Sequence, residues 1–413
     1  MAAELIEMGE ARRLVLERIS PLPIEDVPLG EALGRVLAAD VRSPESVPGF
    51  DNSAMDGFAI RAGDTRGASA EAPVTLRVTD ESRAGHPAAA TLGEGEAVRI
   101  STGAAIPDGA DAVVRVEDTS SRDARVAVQI EARAGQNVRR VGEDVGAGEV
   151  VLSRGMPLGA AELGVLASTG RARVPCARRP EVSVLTTGDE LIAPGVVTLP
   201  PGGVRNANAY TVPALAERAG AEVVRVETGR DDPDATRAAI ERSLAGDIAV
   251  ITGGVSVGEH DRVRSSLAQL GVEQVFWGVA LRPGKPTWFG AREDGTLVFG
   301  LPGNPVSAIV TFLLFTRPAI RALAGAFGGT EQASAILDEA YEKKPGRAHA
   351  VRCRLRLGDD GWHVRPTKEQ GSHVLTSMLG ADVLAIIPGE RPTVPAGERV
   401  EIELLPGVWE RWR

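Results

Sequence analysis

From residue 181 to about 325 the chain alternates short apolar runs with segments of helical spacing, and nothing else in the sequence limits the fold as much. The runs are Val182-Ser-Val-Leu185, Glu222 to Glu227 and Ile248 to Ile251. Helical segments pass through Val212, Leu215, Ala216 and Ala219, follow Asp232-Pro233, and lie around Val263 to Leu270. Strands separated by helices need crossover connections, which implies a parallel α/β sheet. Asp232-Pro233 marks one helix start, because Asp accepts backbone N–H bonds and Pro tolerates the first helical position.

The flanks have a different texture, and 413 residues exceed one ordinary domain, so two to four domains are expected. Before Pro48, Leu14, Val15, Ile19, Leu33, Val36 and Leu37 recur at helical spacings interrupted by Pro21, Pro23 and Pro28, which reads as short helices. From Phe50 to about Asp144, Val74 to Val78, Ala112 to Val116 and Arg125 to Ile130 alternate with Gly-rich turns and suggest a small β module. A helical stretch through Leu158 to Leu166 ends near Gly170. Beyond about residue 330, Val351 to Leu357 alternates strictly, Asp359-Asp-Gly361 offers a tight turn into Trp362 to Arg365, and Glu398 to Leu405 reads as one more strand.

Open parallel sheets bind ligands at the carboxyl ends of their strands. Five polar, Gly-rich segments fall there: Thr186-Thr-Gly-Asp-Glu190, Thr228-Gly-Arg-Asp231, Thr252 to Asp261, Arg282-Pro-Gly-Lys285 and Gly300-Leu-Pro-Gly-Asn-Pro305. One such loop is often Gly-rich for backbone reasons alone. Five of them, carrying Glu190, Asp231, Asp261, Arg282 and Lys285, indicate a functional cleft. Gly253-Gly254-Val255-Ser256 can offer consecutive N–H groups to a phosphate, and the helix opening after Asn304-Pro305 presents its positive end. Neither GxxxxGK[ST] nor GxGxxG occurs, which removes the signatures of P-loop ATPases and dinucleotide dehydrogenases. A second polar set lies in the β module: Asp51-Asn-Ser-Ala-Met-Asp56-Gly, Ser101-Thr-Gly103 and Gly142-Glu-Asp144.

Composition excludes other classes. A net charge of −10 repels a phosphate backbone, and only 4% of residues are Phe, Trp or Tyr, so neither duplex nor single-stranded nucleic acid is an expected partner. Cys176 and Cys353 are far apart, and the five histidines form no HExxH pair. A metal would therefore be held by oxygen ligands, as Mg²⁺ is. No secretory leader is legible at the start, and the apolar stretch Val306 to Phe315 falls short of the roughly 20 residues that span a bilayer. A cytoplasmic protein without membrane contact is expected.

The succession Asp51-Asn-Ser-Ala-Met-Asp-Gly57, Thr186-Thr-Gly-Asp-Glu-Leu191, Thr252-Gly-Gly-Val-Ser-Val-Gly-Glu-His-Asp261, Arg282-Pro-Gly-Lys-Pro286 and Gly300-Leu-Pro-Gly-Asn-Pro-Val-Ser307 resembles the MoeA family, the molybdopterin molybdenumtransferases. The motifs extend over essentially the whole chain. The resemblance implies a multidomain α/β plus β architecture. Its parts are a discontinuous helical, dimerising domain (1–47 and 145–178), an inserted β module (48–144), a doubly wound molybdopterin-binding-like α/β domain (179–327) and a C-terminal β-barrel (328–413). It also implies an elongated homodimer in which one subunit completes the cleft of the other.

The implied reaction is insertion of molybdate into adenylylated molybdopterin, with Mg²⁺-dependent release of AMP. Carried over residue by residue, Asp56, Thr102, Asp144, Glu190, Asp231 and Asp261 correspond to functional polar positions, with Glu190 and Asp261 as metal ligands. Arg282, Lys285, Pro302, Asn304 and Pro305, with Gly253, Gly254 and Ser256, line the region for pterin phosphate and molybdate. Ser372, in Gly371-Ser-His-Val374, matches a functional serine of the last domain, and Arg352 is the candidate for its partner arginine. Arg282 stands where many members carry Lys, and Asp231 is preferred to Asp232 because Asp232 is the better helix cap. A molybdopterin adenylyltransferase and apo-molybdoenzymes are the further partners implied. Two other readings remain open: the adenylyltransferase itself, which would consume ATP, and a non-catalytic scaffold of the gephyrin type.

Overall fold

The structure, a computed structural model, describes residues 5–230, 232–254, 262–326 and 333–408. Its central sheet has six strands in the order Glu222–Gly229, Glu181–Thr187, Ile248–Thr252, Leu297–Leu301, Trp288–Ala291 and Glu273–Trp277. The first four are mutually parallel. Trp288–Ala291 runs antiparallel to both neighbours, so the expectation of a wholly parallel sheet fails at this edge. The connection over 278–287 is shorter than the dozen or more residues that a crossover takes, and it carries no helix. That connection holds Arg282 and Lys285.

Alternate residues of the strands face opposite ways, and each face is covered. Val182, Val184, Ile248, Val250 and Phe299 pack with Val212 and Ala216 of the helix Asn208–Arg218 and with the helix Pro305–Thr311. Leu185, Ala249, Ile251 and Val298 pack with Ala239 and Ile240 of Pro233–Ser243 and with Val263 and Leu267 of Arg262–Gln269. This is the doubly wound arrangement. Asp232 caps its helix as expected, its side chain accepting from Ala235 N–H at 2.8 Å.

The helix beginning at Pro305 runs on through a π turn over Phe312–Thr316 to Leu323. The apolar element is thus longer than the sequence suggested, and by length and composition it could cross a bilayer, yet 83% of it is buried inside the protein. It is the core helix of the α/β body.

Near the amino terminus, helical spacing is realised only in Met8–Leu16. Ala11 and Val15 of this helix enter the same core as the sheet, and Ile6 bonds Gly278 and Ala280 through its backbone at 3.1 and 2.8 Å, bracing the 278–287 loop. Past Pro21 the chain is extended: Ile24–Pro28 pairs with Arg173–Ala177, and Val41–Arg42 with Val150–Leu152. Leu33, Val36 and Leu37 do not lie on a helix: Gly34 takes φ +73°, and Val36 and Leu37 bridge antiparallel to Pro157 and Cys176. The helix Ala160–Ser168 does form. Between the paired segments lies a six-stranded sheet ordered Ala112–Arg115, Gly57–Ile60, Glu96–Ile100, Val74–Ser82, Arg125–Val128 and Thr119–Arg122.

The last part is a closed five-stranded barrel. Ala348–Gly358 pairs in turn with Gly361–Pro366, which is followed by Ala333–Leu337, Arg399–Leu404 and Val383–Ile387, and the last strand returns to Ala348–Gly358. Leu281–Arg282 extends this barrel by pairing with Ala348 and His349, so the cationic loop is held between sheet and barrel. Glu403, 3% exposed, receives Arg317 of the long helix and lies 3.6 Å from Arg12 of the first helix, joining three parts of the chain.

Candidate functional site

At the carboxyl ends of the parallel strands lies a cleft of about 910 Å³, lined by Thr187 to Leu191, Val204 to Asn208, Thr252 to Gly254 and Pro302 to Pro305. A second pocket of about 280 Å³ adjoins it and shares Pro286, Pro302 and Asn304. Arg282, Lys285, Arg347, Gln370 and Ser372 line the smaller pocket, which lies where the α/β body meets the barrel.

Beside the cleft, the buried side chains of Thr186 and Asn206 join the exposed Thr228 in one hydrogen-bonded network. Thr186 Oγ1 donates to Thr228 Oγ1 at 3.0 Å, and Asn206 Nδ2 bridges both hydroxyls at 2.8 and 3.1 Å. Buried hydroxyls and amides are costly unless paired, so this network fixes the strand ends relative to the segment that opens the next helix. Gly253 and Gly254 both have left-handed backbones, with φ of +86° and +65°. A Cβ would fall 2.6 Å from Thr187 O at the first and 2.6 Å from Val263 Cγ2 at the second, so the strand-end turn admits only glycine. The rest of the expected phosphate loop, including Ser256 and Asp261, lies outside the described residues, as does Asp231.

The cationic loop is a rigid hairpin connection. Val279 N–H donates to Lys285 O at 3.0 Å, Thr287 Oγ1 donates to Gly284 O at 2.6 Å, and the Arg282-Pro283 peptide is cis. Both Arg282 and Lys285 are exposed. Opposite them, the turn Pro302 to Pro305 is held from two sides. Asn208 Nδ2 donates to Gly303 O at 2.9 Å, and Asn304 Nδ2 donates to Ser372 Oγ at 3.3 Å across to the barrel. The structure therefore brings Arg282, Lys285, Pro302, Asn304 and Ser372 together around one pocket, and Glu190, Gly253, Gly254 and Pro305 around the adjoining cleft.

Arg352, the candidate partner of Ser372, lies behind the turn that carries that serine. It is fully buried and lines neither cavity. Its Nη2 donates to Glu369 O and Gly371 O at 3.2 and 3.3 Å, so it supports the turn carrying Ser372 from behind.

In the β module, Asp56 and Thr102 meet: Asp56 Oδ1 accepts from Thr102 N–H at 2.7 Å and from its hydroxyl at 3.1 Å. Asp144 follows Val138–Arg139, which pairs with Asn52–Ser53, so it lies near the same end of the module. Asp51 is held below the usual carboxylate range, first by Val141 N–H and then by Arg140. No residue of the module lines either cavity.

The donor set of the cleft is oxygen and amide. Asp189 and Glu190 supply carboxylates, and no described lining residue is His or Cys. Among the described residues no group of three His, Cys, Asp or Glu side chains stands ready to hold a metal. Cys176 and Cys353 are buried, and burial pushes the Cys353 thiol up to about 12, so neither serves as a nucleophile. His349, buried beside the cationic loop, is pushed down to about 4 by burial and then by the charges of Arg282, Lys343 and Arg347.

Sequence reasoning missed Asn206, Asn208, Arg347 and Gln370. The polar run Arg205-Asn-Ala-Asn208 at a helix start was a signal for the first two. Nothing local marked the others.

Three family descriptions match successive parts of the chain: MoeA N-terminal region (domain I and II) over residues 6–170, probable molybdopterin binding domain over 183–322, and MoeA C-terminal region (domain IV) over 334–405. The chain is 38% identical over 405 residues to a molybdopterin molybdenumtransferase of Haemophilus influenzae, covering 97% of this chain and 98% of that one. It is 35% identical over 401 residues to one of Staphylococcus aureus, covering 97% and 95%. The crystal structure of a molybdopterin biosynthesis MoeA protein from Pyrococcus horikoshii superposes with a TM-score of 0.83 at 32% identity, covering 97% of this chain and 100% of that one. With the doubly wound domain, the inserted sheet and the closing barrel all in place, the chain belongs to the MoeA family of molybdopterin molybdenumtransferases.

Proposed function

We propose that this protein inserts molybdate into adenylylated molybdopterin, with Mg²⁺-dependent release of AMP. The observation that carries the reading is the pair of adjoining cavities meeting at Pro302 and Asn304, one with glycine backbone and carboxylates, the other lined by cations. Gly253 and Gly254 suit the phosphates of the adenylylated pterin, and Arg282 and Lys285 suit a tetrahedral dianion. The two reactants are then held side by side, which is most of what such chemistry requires.

The oxygen donors of the cleft fit a hard divalent cation. We assign Glu190 and Asp261 to hold Mg²⁺, which neutralises phosphate charge when bound. Asp56, whose Oδ1 is occupied by Thr102, has its second oxygen available to take a proton from the water that cleaves the phosphoanhydride. Asp231 and Asp144 complete the acidic set. Because the module lines neither cavity of its own chain, we assign Asp56, Thr102 and Asp144 to the cleft of a second copy, in a homodimer. The substrate would come from a molybdopterin adenylyltransferase and the product would pass to apo-molybdoenzymes.

The test supplies purified protein with adenylylated molybdopterin, Mg²⁺ and molybdate. Molybdate-dependent AMP release and a product that activates an apo-molybdoenzyme are expected. No AMP release, or ATP turnover in place of it, overturns the reading.

A further inference from the structure

A different cluster of cations lies outside the site described above. A cavity of about 350 Å³ has five arginines among its lining residues, Arg35, Arg179, Arg218, Arg317 and Arg321, and no described lining residue is acidic. In a chain of net charge −10, that is a local concentration of positive charge. The arginines come from separate parts of the sequence. Arg35 belongs to the split N-terminal region, Arg179 precedes the strand Glu181–Thr187, and Arg218 and Arg321 stand in the last turns of two helices, with Arg317 one turn before Arg321.

This cavity and the cleft lie at opposite ends of the same elements. The helix Asn208–Arg218 starts at the cleft, which Asn208 lines, and ends at Arg218, about 15 Å away at roughly 1.5 Å per residue. The long helix likewise runs from Pro305 at the cleft to Arg317 and Arg321. The strand Glu181–Thr187 reaches the cleft at Thr187, and Arg179 stands just before its other end. Three elements thus place the cavity on the far side of the α/β body from the cleft.

Part of the cluster is structural. Arg35 donates to Glu25 Oε1 and, at 2.8 Å, to Ala177 O; Arg317 donates to Glu403 Oε1 and, at 3.2 Å, to Leu404 O. Those bonds hold the wall where the split domain and the barrel meet the helices. Glu25, Glu403 and the two helix ends, at roughly half a unit of negative charge each for the ends, offset part of the positive charge, but neither carboxylate lines the cavity. Arg179 and Arg218 are exposed and Arg321 is half-buried, so these three are the accessible ones. A guanidinium carries five N–H donors, and one engaged edge leaves others for a ligand. Much of the remaining lining is apolar, with Leu215, Ala219, Leu405 and Val408.

We propose that this cavity is a second anion site, separate from the cleft, which binds the phosphate dianion of a small molecule through Arg179, Arg218 and Arg321. Guanidinium forks match phosphate oxygens in pairs, and several forks suit a dianion better than a single carboxylate. The cavity is larger than a bare oxyanion needs, and its apolar lining suits the body of a sugar phosphate.

Full-length protein is titrated by calorimetry with ribose 5-phosphate and, separately, with inorganic phosphate. Binding is expected with a Kd that rises roughly tenfold or more in R179Q and in R218Q, recovers in part in R218K, and stays unchanged in R282Q, which alters the cationic loop beside the cleft. Ribose 5-phosphate should also raise the melting temperature of the unaltered protein and of R282Q more than that of R179Q. Because Arg179 is exposed, R179Q should melt with the unaltered protein when no phosphate is present. Tighter binding of ribose 5-phosphate than of phosphate identifies an organic phosphate as the ligand, and equal binding identifies the free ion; both support the site. Binding of neither probe, or binding lost in R282Q and kept in R179Q and R218Q, overturns it.

Discussion

Asp56 accepts two hydrogen bonds from the single residue Thr102, and both fall on one carboxylate oxygen, Oδ1. Because Asp56 is exposed, Asp56→Ala should abolish AMP release while changing stability by no more than about 0.5 kcal/mol, measured by denaturant unfolding. Gly254 behaves oppositely. At φ +65°, with Val263 Cγ2 2.6 Å from where a Cβ would stand, Gly254→Ala should cost about 1–3 kcal/mol and distort the cleft loop, seen as a lowered melting temperature together with lost turnover. His349 gives a pH signature. Its folded-state value, about 4, lies below the ordinary 6.5, so the unfolded chain binds the proton more tightly. The stability from keeping it neutral is present above pH 6.5 and is lost as the pH falls towards 4, by no more than about 3 kcal/mol. His349→Phe should flatten the unfolding free energy between those two pH values.

Elements were legible where local chemistry decides them. Asp232-Pro233 specifies its helix start without help from the rest of the fold, and Asp232→Ala should cost about 1 kcal/mol, read from the denaturation midpoint. Val351 to Leu357 and the Asp359-Asp360 turn gave the hairpin, with Val351, Cys353 and Leu355 in the barrel core, although Leu357 is exposed and Arg352 of the other face is buried. Elsewhere the period misled. Leu33, Val36 and Leu37 have helical spacing, yet Gly34 at φ +73° and the bridges from Val36 and Leu37 to Pro157 and Cys176 made the region extended. The antiparallel strand Trp288–Ala291 could not be separated from parallel neighbours by its apolar run, since a strand buried on both faces reads alike in either direction.

At the scale of the whole molecule, distant segments meet. Glu403, from the barrel, is held by Arg317 of the core helix and lies beside Arg12 of the first helix; burial pushes its carboxyl up against these two part-buried guanidiniums, and Glu403→Gln should cost about 1–3 kcal/mol by thermal unfolding. If the β module completes a partner's cleft, mixing the inactive variants Asp56→Ala and Glu190→Gln should restore roughly a quarter of the activity, since half of randomly paired dimers carry one intact site. No recovery on mixing and refolding would mean that each chain builds its own site. The sequence by itself determined the α/β alternation, the helix start at Asp232, the barrel hairpin and the identity of the loop residues, because propensity, turn chemistry and motif spacing are local. Only the tertiary structure decided that Arg282 pairs beside His349, that Asn304 reaches Ser372, and that Arg347 lines the pocket while Arg352 is buried behind it. Those outcomes depend on how the barrel closes and docks on the sheet, and neighbours separated by tens of residues leave no periodic trace along the chain.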